Sequence, residues 1–420
     1  MSKVHFMTQL GLHLSVDKQF DLSKSLLNED EGVWLSKTEQ LTGVVAFDDK
    51  LRILPLISEF LSDKLRNKKI SHHTAKTYAK NLLYFLSYLK SRPEYKHTSL
   101  DEAFLTVSKY VIEEYFVALR TVHNLSTATI RNRDSTLQAF IHNFLTNHPE
   151  LEKRRTIHSP YSSGLISGSV KQKLIISCSI DELKKLMEQT DSERERLILQ
   201  FVFDSGIRRS ELQSITKLDF LDAINFNSQR LISNKTDTPI AHSYVPLKIQ
   251  GVKGRHNNKK QRMTLISRSV LKRICRYHAS PLYKKYARKY VSPADTPAFF
   301  NSKGNPFTPE CLSKLLERTS RRALKKGIII RPISPHKLRH GYAYDLLQSP
   351  DIGPTYVDRL AVVQKSLGHA YLSSTEVYTK IPHELYKTIT NVDGDLITKA
   401  ERMERLTSRT ILSISIKTSK

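Results

Sequence analysis

Apolar residues recur with a helical period in two stretches of the first third of the chain. Five of them share one face of the first predicted helix: Tyr78, Leu82, Phe85, Leu86 and Leu89. Four lie on the buried side of a second helix, which opens near Thr129: Leu137, Phe140, Ile141 and Phe144. Both helices carry Lys or Arg opposite the apolar stripe, which is as typical of a solvated face as of a surface that contacts DNA. The pattern predicts a helical domain over residues 51–150.

Two stretches of different composition flank this domain. Residues 1–50 carry no recognisable motif, so we expect an N-terminal appendage or arm there. Residues 151–176 contain Pro160, two Gly and a Ser-rich run, which is typical of an interdomain linker. Ser179 and Glu182 then form a capping-box pattern, which predicts the start of a new helix and a new domain.

The second domain has a mixed pattern. Residues 183–203 are helical in period and strongly apolar at their end, where Gly206 breaks the helix. Residues 243–249 and 262–266 alternate with a period of two and are joined by a polar, basic turn, which predicts a β-hairpin. Thr308 and Ser334 each precede a Pro, and a capping residue followed by Pro is a helix start.

The pattern changes again in the tail, residues 391–420. The stretch 396–406 is charged and helical in period, whereas Leu412, Ile414 and Ile416 alternate with polar residues and predict a strand. An exposed apolar strand tends to pair with a sheet edge. That edge could belong to its own domain or to a neighbouring protomer, and both remain open.

Charge narrows the class of partner. The net charge is +26 and the pI is about 9.8, an excess that favours a polyanion, most commonly nucleic acid. No apolar run approaches the ~20 residues of a membrane-spanning helix, and residues 1–16 lack the apolar core of a secretory signal. Three widely spaced cysteines fit free thiols in a reducing cytosol, so a cytoplasmic protein is expected.

Four short motifs carry side chains that could act together on a phosphodiester. In chain order they are Gly206-x-Arg208-x-Ser210-Glu211-Leu212, His336-x-Leu338-Arg339-His340, Leu367-Gly368-His369 and Tyr378. Two guanidiniums can each donate paired hydrogen bonds to phosphate oxygens and stabilise the charge of the transition state. A Tyr hydroxyl has a pKa near 10, so it needs a base or a strong positive field before it attacks.

The histidines and the hairpin lysines supply the proton-transfer candidates. A histidine side chain ordinarily titrates near neutrality, so His336 and His369 are the candidates for proton transfer at neutral pH. The leaving sugar oxygen needs a proton, and Lys253, at the hairpin turn beside Gly254, could donate it. Lys259 and Lys260 lie in the same turn and remain alternatives.

A metal site is the alternative interpretation of these histidines. His336 and His340 have the spacing of two zinc ligands on a helix, but residue 337 is Lys rather than the Glu of a metalloprotease motif. No carboxylate cluster surrounds the motifs to hold Mg²⁺. Glu211 is interpreted instead as a structural partner of an Arg or of the hairpin, and neither a metal nor another cofactor is predicted.

Taken together and in this order, the four motifs resemble the tyrosine recombinase (phage integrase) family. The resemblance covers about residues 177–390, and the helical region before it is similar, less specifically, to the family's core-binding domain. It implies that Arg208, Lys253, His336, Arg339 and His369 surround the scissile phosphate while Tyr378 attacks it, with Glu211 and His340 in support. Gly341 departs from the family, which usually has a hydroxyl or similar side chain there, and the hairpin turn is longer and more basic than usual.

The fold implied is mainly α with a small β-sheet: a helical, SAM-like core-binding domain and a mixed α/β catalytic domain forming a clamp on DNA. The domains are expected at 1–50 (arm), 51–150 (core-binding), 151–176 (linker), 177–390 (catalytic) and 391–420 (tail). In this family C-terminal segments commonly dock on a neighbouring protomer, which would couple Tyr378 to that neighbour's state.

The implied activity is site-specific recombination through a 3′-phosphotyrosyl bond, and we expect the integrase or transposase of a mobile element. The implied partners are double-stranded DNA, further copies of the chain in a dimer to tetramer on DNA, and accessory DNA-bending or mobile-element proteins; in a prokaryote it would be nucleoid-associated. Two alternatives are a type IB topoisomerase-like enzyme and a non-catalytic DNA-binding regulator on a recombinase fold.

Overall fold

A computed structural model describes most of the chain. The residues described are 3–13, 38–67, 69–149, 154–155, 158–161, 164–166, 176–232, 243–251, 261–369, 375, 378 and 397–414. They form two compact units, one before residue 173 and one after it. None of the described helices is long and apolar enough to cross a membrane.

The first unit is mainly helical, as the apolar pattern predicted. Its helices are α1 (Pro55–Arg66), α2 (His72–Lys90), α3 (Leu100–Thr106), α4 (Lys109–Thr121) and α5 (Thr127–Leu137), the last continued by a π turn at Gln138–His142. Ser71, Ser99, Ser108 and Ser126 each accept a backbone N–H at the start of a helix, so four of the five helices begin at a serine cap.

Aromatic rings fill the core of this unit. Phe60 and Phe104 both pack against Phe140, with ring centroids 5.2 and 5.0 Å apart. The buried Arg155 guanidinium donates to the carbonyl oxygens of Phe104 and Val107 at 2.7 and 2.8 Å. Part of the predicted linker is therefore fastened to the helical core.

The N-terminal fifty residues contain structure that the sequence did not predict. Strands β1 (Lys3–His13) and β2 (Thr38–Phe47) pair antiparallel, with a register shift between Met7 and Leu10. Ala46 at the end of β2 is buried, and its backbone N–H and carbonyl bond to the Ser58 hydroxyl and the Leu54 N–H. The end of β2 belongs to the core of the helical unit.

The second unit combines helices with a two-stranded sheet. Its elements are α6 (Ile180–Met187), α7 (Glu193–Ser205), a 3₁₀ turn (Arg209–Ser214), α8 (Lys217–Ile232), β3 (Tyr244–Gln250), β4 (Gln261–Ser267), α9 (Arg268–Ala279), α10 (Pro281–Ala287), α11 (Pro309–Lys325), α12 (Pro335–Leu347), α13 (Tyr356–Leu367) and α14 (Lys399–Thr410). The fold is mainly α with a small antiparallel β component, as predicted.

Several local predictions for this unit are confirmed. Strands β3 and β4 pair antiparallel from Tyr244 opposite Ser267 to Gln250 opposite Gln261, which is the predicted hairpin stem. The Ser179 capping box is formed, and helix α11 starts after the predicted cap at Thr308. The helix predicted over 183–203 is wrong in one respect, because residues 188–192 interrupt it.

The interruption has a local cause. The Thr190 hydroxyl bonds both the Glu195 carboxylate and the Ser192 N–H. A threonine hydroxyl that accepts the backbone N–H two residues later competes with a continued helix, and α7 begins only at Glu193.

The tail packs on its own unit. Helix α14 contacts α9, α6 and β4, and the buried Lys399 ammonium at its start pairs with the buried Asp204 carboxylate. Residues 411–414 have no regular structure, so the strand predicted from Leu412 is not formed there; the Leu412 N–H donates to Glu193 at 2.8 Å instead. The third strand residue, Ile416, lies outside the described residues, and docking of the end of the tail on a neighbouring protomer stays a prediction.

Candidate active site

The first arginine of the site is placed by a helix end. Helix α7 stops at Gly206, whose φ of 58° is left-handed, and the chain then turns into the 3₁₀ segment that begins after Arg208. A Cβ at Gly206 would lie 2.1 Å from the Tyr342 ring, so both conformation and close packing require glycine. The Arg208 side chain is about one-third exposed and can reach a ligand.

Glu211 anchors that arginine. Its carboxylate is fully buried and accepts the Arg208 backbone N–H at 2.7 Å and the Arg208 guanidinium at 2.8 Å. Burial disfavours the charged carboxylate, but Arg262 and Arg208 outweigh it and lower the pKa of Glu211. The interpretation of Glu211 as the partner of an arginine therefore agrees with its contacts.

Arg339 is held from two sides. It lies near the start of α12, is buried, and donates to the carbonyl oxygens of Gly206 and Leu367 at 2.5 and 2.6 Å. Burial, together with the charges of Arg208 and Arg262, lowers the pKa of Arg339 to about 9, so it stays charged at neutral pH. The turn after α7 and the end of α13 are thereby fixed around one guanidinium.

Gly341, the departure from the family pattern, has a packing explanation. A Cβ there would lie 2.3 Å from the Cys178 carbonyl oxygen and 2.4 Å from the Phe203 ring. Helix α12 runs so close to α7 at this point that only glycine fits.

The two histidines of α12 differ in environment. His336 is exposed, whereas His340 is partly buried, and their rings are 4.5 Å apart in an edge-to-face arrangement. Burial, then the charges of His336 and Arg339, lower the pKa of His340 to about 4, so it is neutral at pH 7. A neutral imidazole can accept a proton.

Helix α13 directly precedes the third histidine, His369. It ends at Gly368, whose φ of 63° turns the chain so that His369 follows directly. The His369 Nδ1 lies 3.0 Å from the Thr375 hydroxyl, and burial together with Arg339 and Arg208 lowers the pKa of His369 to about 4.

Tyr378 lies among these groups. Its side chain is 2% exposed, and its hydroxyl is 2.8 Å from Nδ1 of His340. Its ring is stacked 6.5 Å from the His369 ring and packs edge-on against Tyr344 at 5.4 Å. Burial raises the pKa of Tyr378 to about 12, while Arg339 and Arg208 act in the opposite direction. At neutral pH the phenol therefore keeps its proton and can donate it to His340.

The structure thus brings together seven of the eight sequence-predicted residues: Arg208, Glu211, His336, Arg339, His340, His369 and Tyr378. The eighth, Lys253, and its alternatives Lys259 and Lys260 lie outside the described residues. Among those described, no group of three or more His, Cys, Asp or Glu side chains is placed to hold a metal ion.

One residue of the site was missed by the sequence analysis. Arg262 on β4 is 7% exposed and donates to Glu211 at 2.7 Å and to the Ser366 carbonyl oxygen. The strand alternation puts it on the same face as Thr264 and Ile266, which point into the core. A buried guanidinium needs acceptors, so an arginine on the core-facing side of a predicted strand indicates a partner elsewhere in the chain, and this signal was present in the sequence.

Known proteins share this arrangement of sequence and fold. The sequence profile described as the phage integrase family matches residues 178–384. The tyrosine recombinase XerC of Thermodesulfovibrio yellowstonii is 25% identical over 332 residues, which cover 77% of this chain and 91% of that protein.

Two solved structures have a similar fold. One is the XerH site-specific recombinase bound to palindromic difH substrate after cleavage, which is 19% identical. The match covers 79% of this chain and 83% of the XerH chain, with a TM-score of 0.51. The other is the Tn1549 transposon integrase with transposon right end DNA, at 15% identity, 79% and 97% coverage, and a TM-score of 0.51. These two structures show the fold, whereas the match of the family profile over residues 178–384, together with the recombinase relatives and the motif residues gathered around Tyr378, shows that the chain belongs to the phage integrase family, the tyrosine recombinases.

Proposed function

We propose that this protein cleaves and rejoins DNA strands at specific sites, with Tyr378 as the nucleophile. The observation that carries this is the Tyr378 hydroxyl, buried beside two arginines and 2.8 Å from a neutral histidine nitrogen. A buried hydroxyl with a proton acceptor and adjacent cations is the arrangement that nucleophilic attack on a phosphodiester needs.

His340 takes the proton in this mechanism. With its own proton on Nε2, its Nδ1 accepts the Tyr378 proton as the phenol oxygen forms a bond to phosphorus. Arrival of the phosphate adds negative charge beside His340 and favours its protonated form. Arg208 and Arg339 donate to the non-bridging oxygens, where negative charge grows in the transition state.

The bond that breaks joins phosphorus to the 5′ oxygen of the next nucleotide. That oxygen leaves with a proton from a general acid, the role predicted for Lys253, and becomes a free hydroxyl. The products are a 3′-phosphotyrosyl bond and a 5′-hydroxyl strand. Attack by a second 5′-hydroxyl reverses the step and joins a new pair of strands, and the covalent bond conserves the energy of the phosphodiester.

The partner proposed is double-stranded DNA, in keeping with the net charge of +26. The XerH and Tn1549 integrase structures are, by their descriptions, DNA complexes. Exchange of strands between two duplexes requires a protomer at each cleaved strand, so a dimer to tetramer on DNA is proposed. Within this activity, integration or transposition of a mobile element stays our prediction; direct repeats or transposition genes beside the coding sequence would support it.

The test is covalent capture. A duplex site is first recovered from a randomised pool by its retention on the wild-type chain in denaturant. It is then rebuilt with a nick just beyond the cleavage position, so that the short 5′-hydroxyl fragment diffuses away and the adduct accumulates. Tyr378→Phe should bind this duplex with unchanged affinity and form no adduct.

The matched control is Tyr283→Phe, which removes another buried hydroxyl of the same unit, one that donates to Pro297 at 2.9 Å. It should form the adduct at the wild-type rate. An adduct that survives Tyr378→Phe would overturn the assignment. Relaxation of a supercoiled plasmid without exchange between two sites would instead assign a topoisomerase-like activity.

A further inference from the structure

We propose that Arg262 is a positioning residue: its guanidinium holds the Arg208 turn and the His369 segment at a fixed separation, so that both side chains reach the same phosphate. This role rests on the proposed function. Arg262 belongs to none of the four sequence motifs, and its contacts alone single it out.

Arg262 connects two segments that are far apart in the chain, and it does so as a second guanidinium beside Arg339. One amino group of its guanidinium donates to Glu211 at 2.7 Å, and the other donates to the Ser366 carbonyl oxygen. The first segment carries Arg208, and the second leads directly into His369. A planar guanidinium with fixed donor directions sets both distance and angle between its acceptors, which an ammonium does not.

The Glu211 end of this link is itself shared. Oε2 of Glu211 accepts both the Arg262 guanidinium and the Arg208 backbone N–H, and Oε1 accepts the Arg208 side chain. Any displacement of Arg262 therefore moves the carboxylate that orients Arg208.

The other end lies at a helix C-terminus. Consecutive carbonyls of α13, at Ser366 and Leu367, accept from Arg262 and Arg339 respectively. The last carbonyls of a helix have no partner within the helix and carry partial negative charge, so guanidiniums bind well there. A Cβ at Gly368 would lie 2.5 Å from Cδ of Arg262, so the close approach of the Arg262 side chain favours glycine immediately before His369.

Arg262 also anchors the hairpin. It lies opposite Ile249 in the stem, in the pair next to the last described pair, Gln250 and Gln261. The hairpin base is thus tied to the same two segments that carry Arg208 and His369.

The test compares Arg262→Met and Arg262→Lys with wild type on the nicked duplex described above. Both variants should lose about 100-fold in the single-turnover rate of adduct formation, because a small displacement of a catalytic group costs on that order. DNA affinity should stay within about threefold, which separates positioning from DNA binding. Arg262→Lys should not recover the rate, because an ammonium cannot serve both acceptors with the guanidinium geometry.

The matched control is Arg273→Met. Arg273 is also buried, also paired with a carboxylate, Glu193 at 2.7 Å, and lies in the same unit. It should lower the melting temperature at least as much as Arg262→Met while leaving the rate per folded molecule unchanged. Glu211→Gln combined with Arg262→Met should be no slower than the slower single variant, since residues that act as a unit are not additive.

Four outcomes would overturn the role: a wild-type rate in Arg262→Met, a wild-type rate in Arg262→Lys, a fall in DNA affinity that matches the fall in rate, or equal rate losses in the Arg273 control. Absence of any wild-type adduct would overturn the proposed function and this role with it. A normal Tyr378-dependent adduct with unaffected Arg262 variants would overturn this role alone.

Discussion

Loss of the Lys399 ammonium should destabilise the second unit and release its C-terminal helix. Lys399 and Asp204 are both fully buried and form an ion pair, and the ammonium also lies 5.3 and 5.1 Å from the ring centroids of Tyr244 and Tyr342. Lys399→Met keeps the length of the side chain and removes the charge. The Asp204 carboxylate is then left without its cation.

The size of the effect follows from what Asp204 retains. Removing one partner of a buried ion pair costs about 3–5 kcal/mol. Asp204 keeps two hydrogen bonds from Ser267, from the N–H at 2.7 Å and the hydroxyl at 2.8 Å, so the lower end of that range is expected. In a unit of this size about 3 kcal/mol corresponds to a fall in melting temperature of roughly 6–12 °C.

The assay is thermal unfolding of the full chain without DNA, with limited trypsin digestion in parallel. Cleavage after Arg402, Arg405 and Arg409 should accelerate as α14 detaches. Lys325→Met, at an exposed lysine of α11, should change neither measurement. A shift below about 2 °C would refute the reasoning about the ion pair. A shift that grows with protein concentration would show that α14 docks on another protomer rather than on its own.

Three further outcomes are expected. His340→Gln should lower the rate of adduct formation at least about 100-fold with unchanged DNA affinity, because the acceptor for the Tyr378 proton is lost; a rate within threefold of wild type would contradict this. Burial lowers the pKa of His278 to about 4, so the folded state binds fewer protons than the unfolded state. The stability that His278 contributes is present above pH 6.5 and is lost as the pH falls, by about 3 kcal/mol at pH 4. Urea unfolding of His278→Phe should be less pH-dependent than wild type over this range, and identical slopes would contradict it. Deleting residues 415–420 leaves the Thr410 and Leu412 contacts in place, so single-site cleavage should be unchanged while recombination between two sites falls. Recombination at the full-length rate would exclude docking of the end of the tail on a neighbouring protomer.

The sequence predicted those residues of the site that lie next to a helix-ending glycine or a helix-starting cap. Gly206 and Gly368 end their helices in left-handed turns, and Ser334 starts α12, so Arg208, His369 and Arg339 could be placed from neighbouring residues alone. The order and spacing of the motifs then indicated the family. Helix starts were predicted for the same reason, because a cap depends on a few adjacent residues.

Features that depend on distant contacts were not predictable in this way. Arg262 is defined by carboxylate and carbonyl partners about 50 and 100 residues away. His340 was expected only in a supporting role, but the three-dimensional path of the chain brings the Tyr378 hydroxyl to within 2.8 Å of its Nδ1. The alternation from Leu412 indicated a strand, whereas the hydrogen bond to Glu193 and the packing of Ile414 on the core hold that segment without one.

The central claim is that Tyr378 attacks the phosphate, and the most direct measurement is the identity of the amino acid joined to DNA. The covalent adduct of the wild-type chain on the nicked duplex would be digested with nuclease and trypsin and the nucleotide-bearing peptide sequenced by mass spectrometry. Our account predicts a single modified residue, Tyr378, linked to a 3′-phosphate. A phosphate on any other residue, or a linkage to the 5′ end of the cut strand, would contradict it.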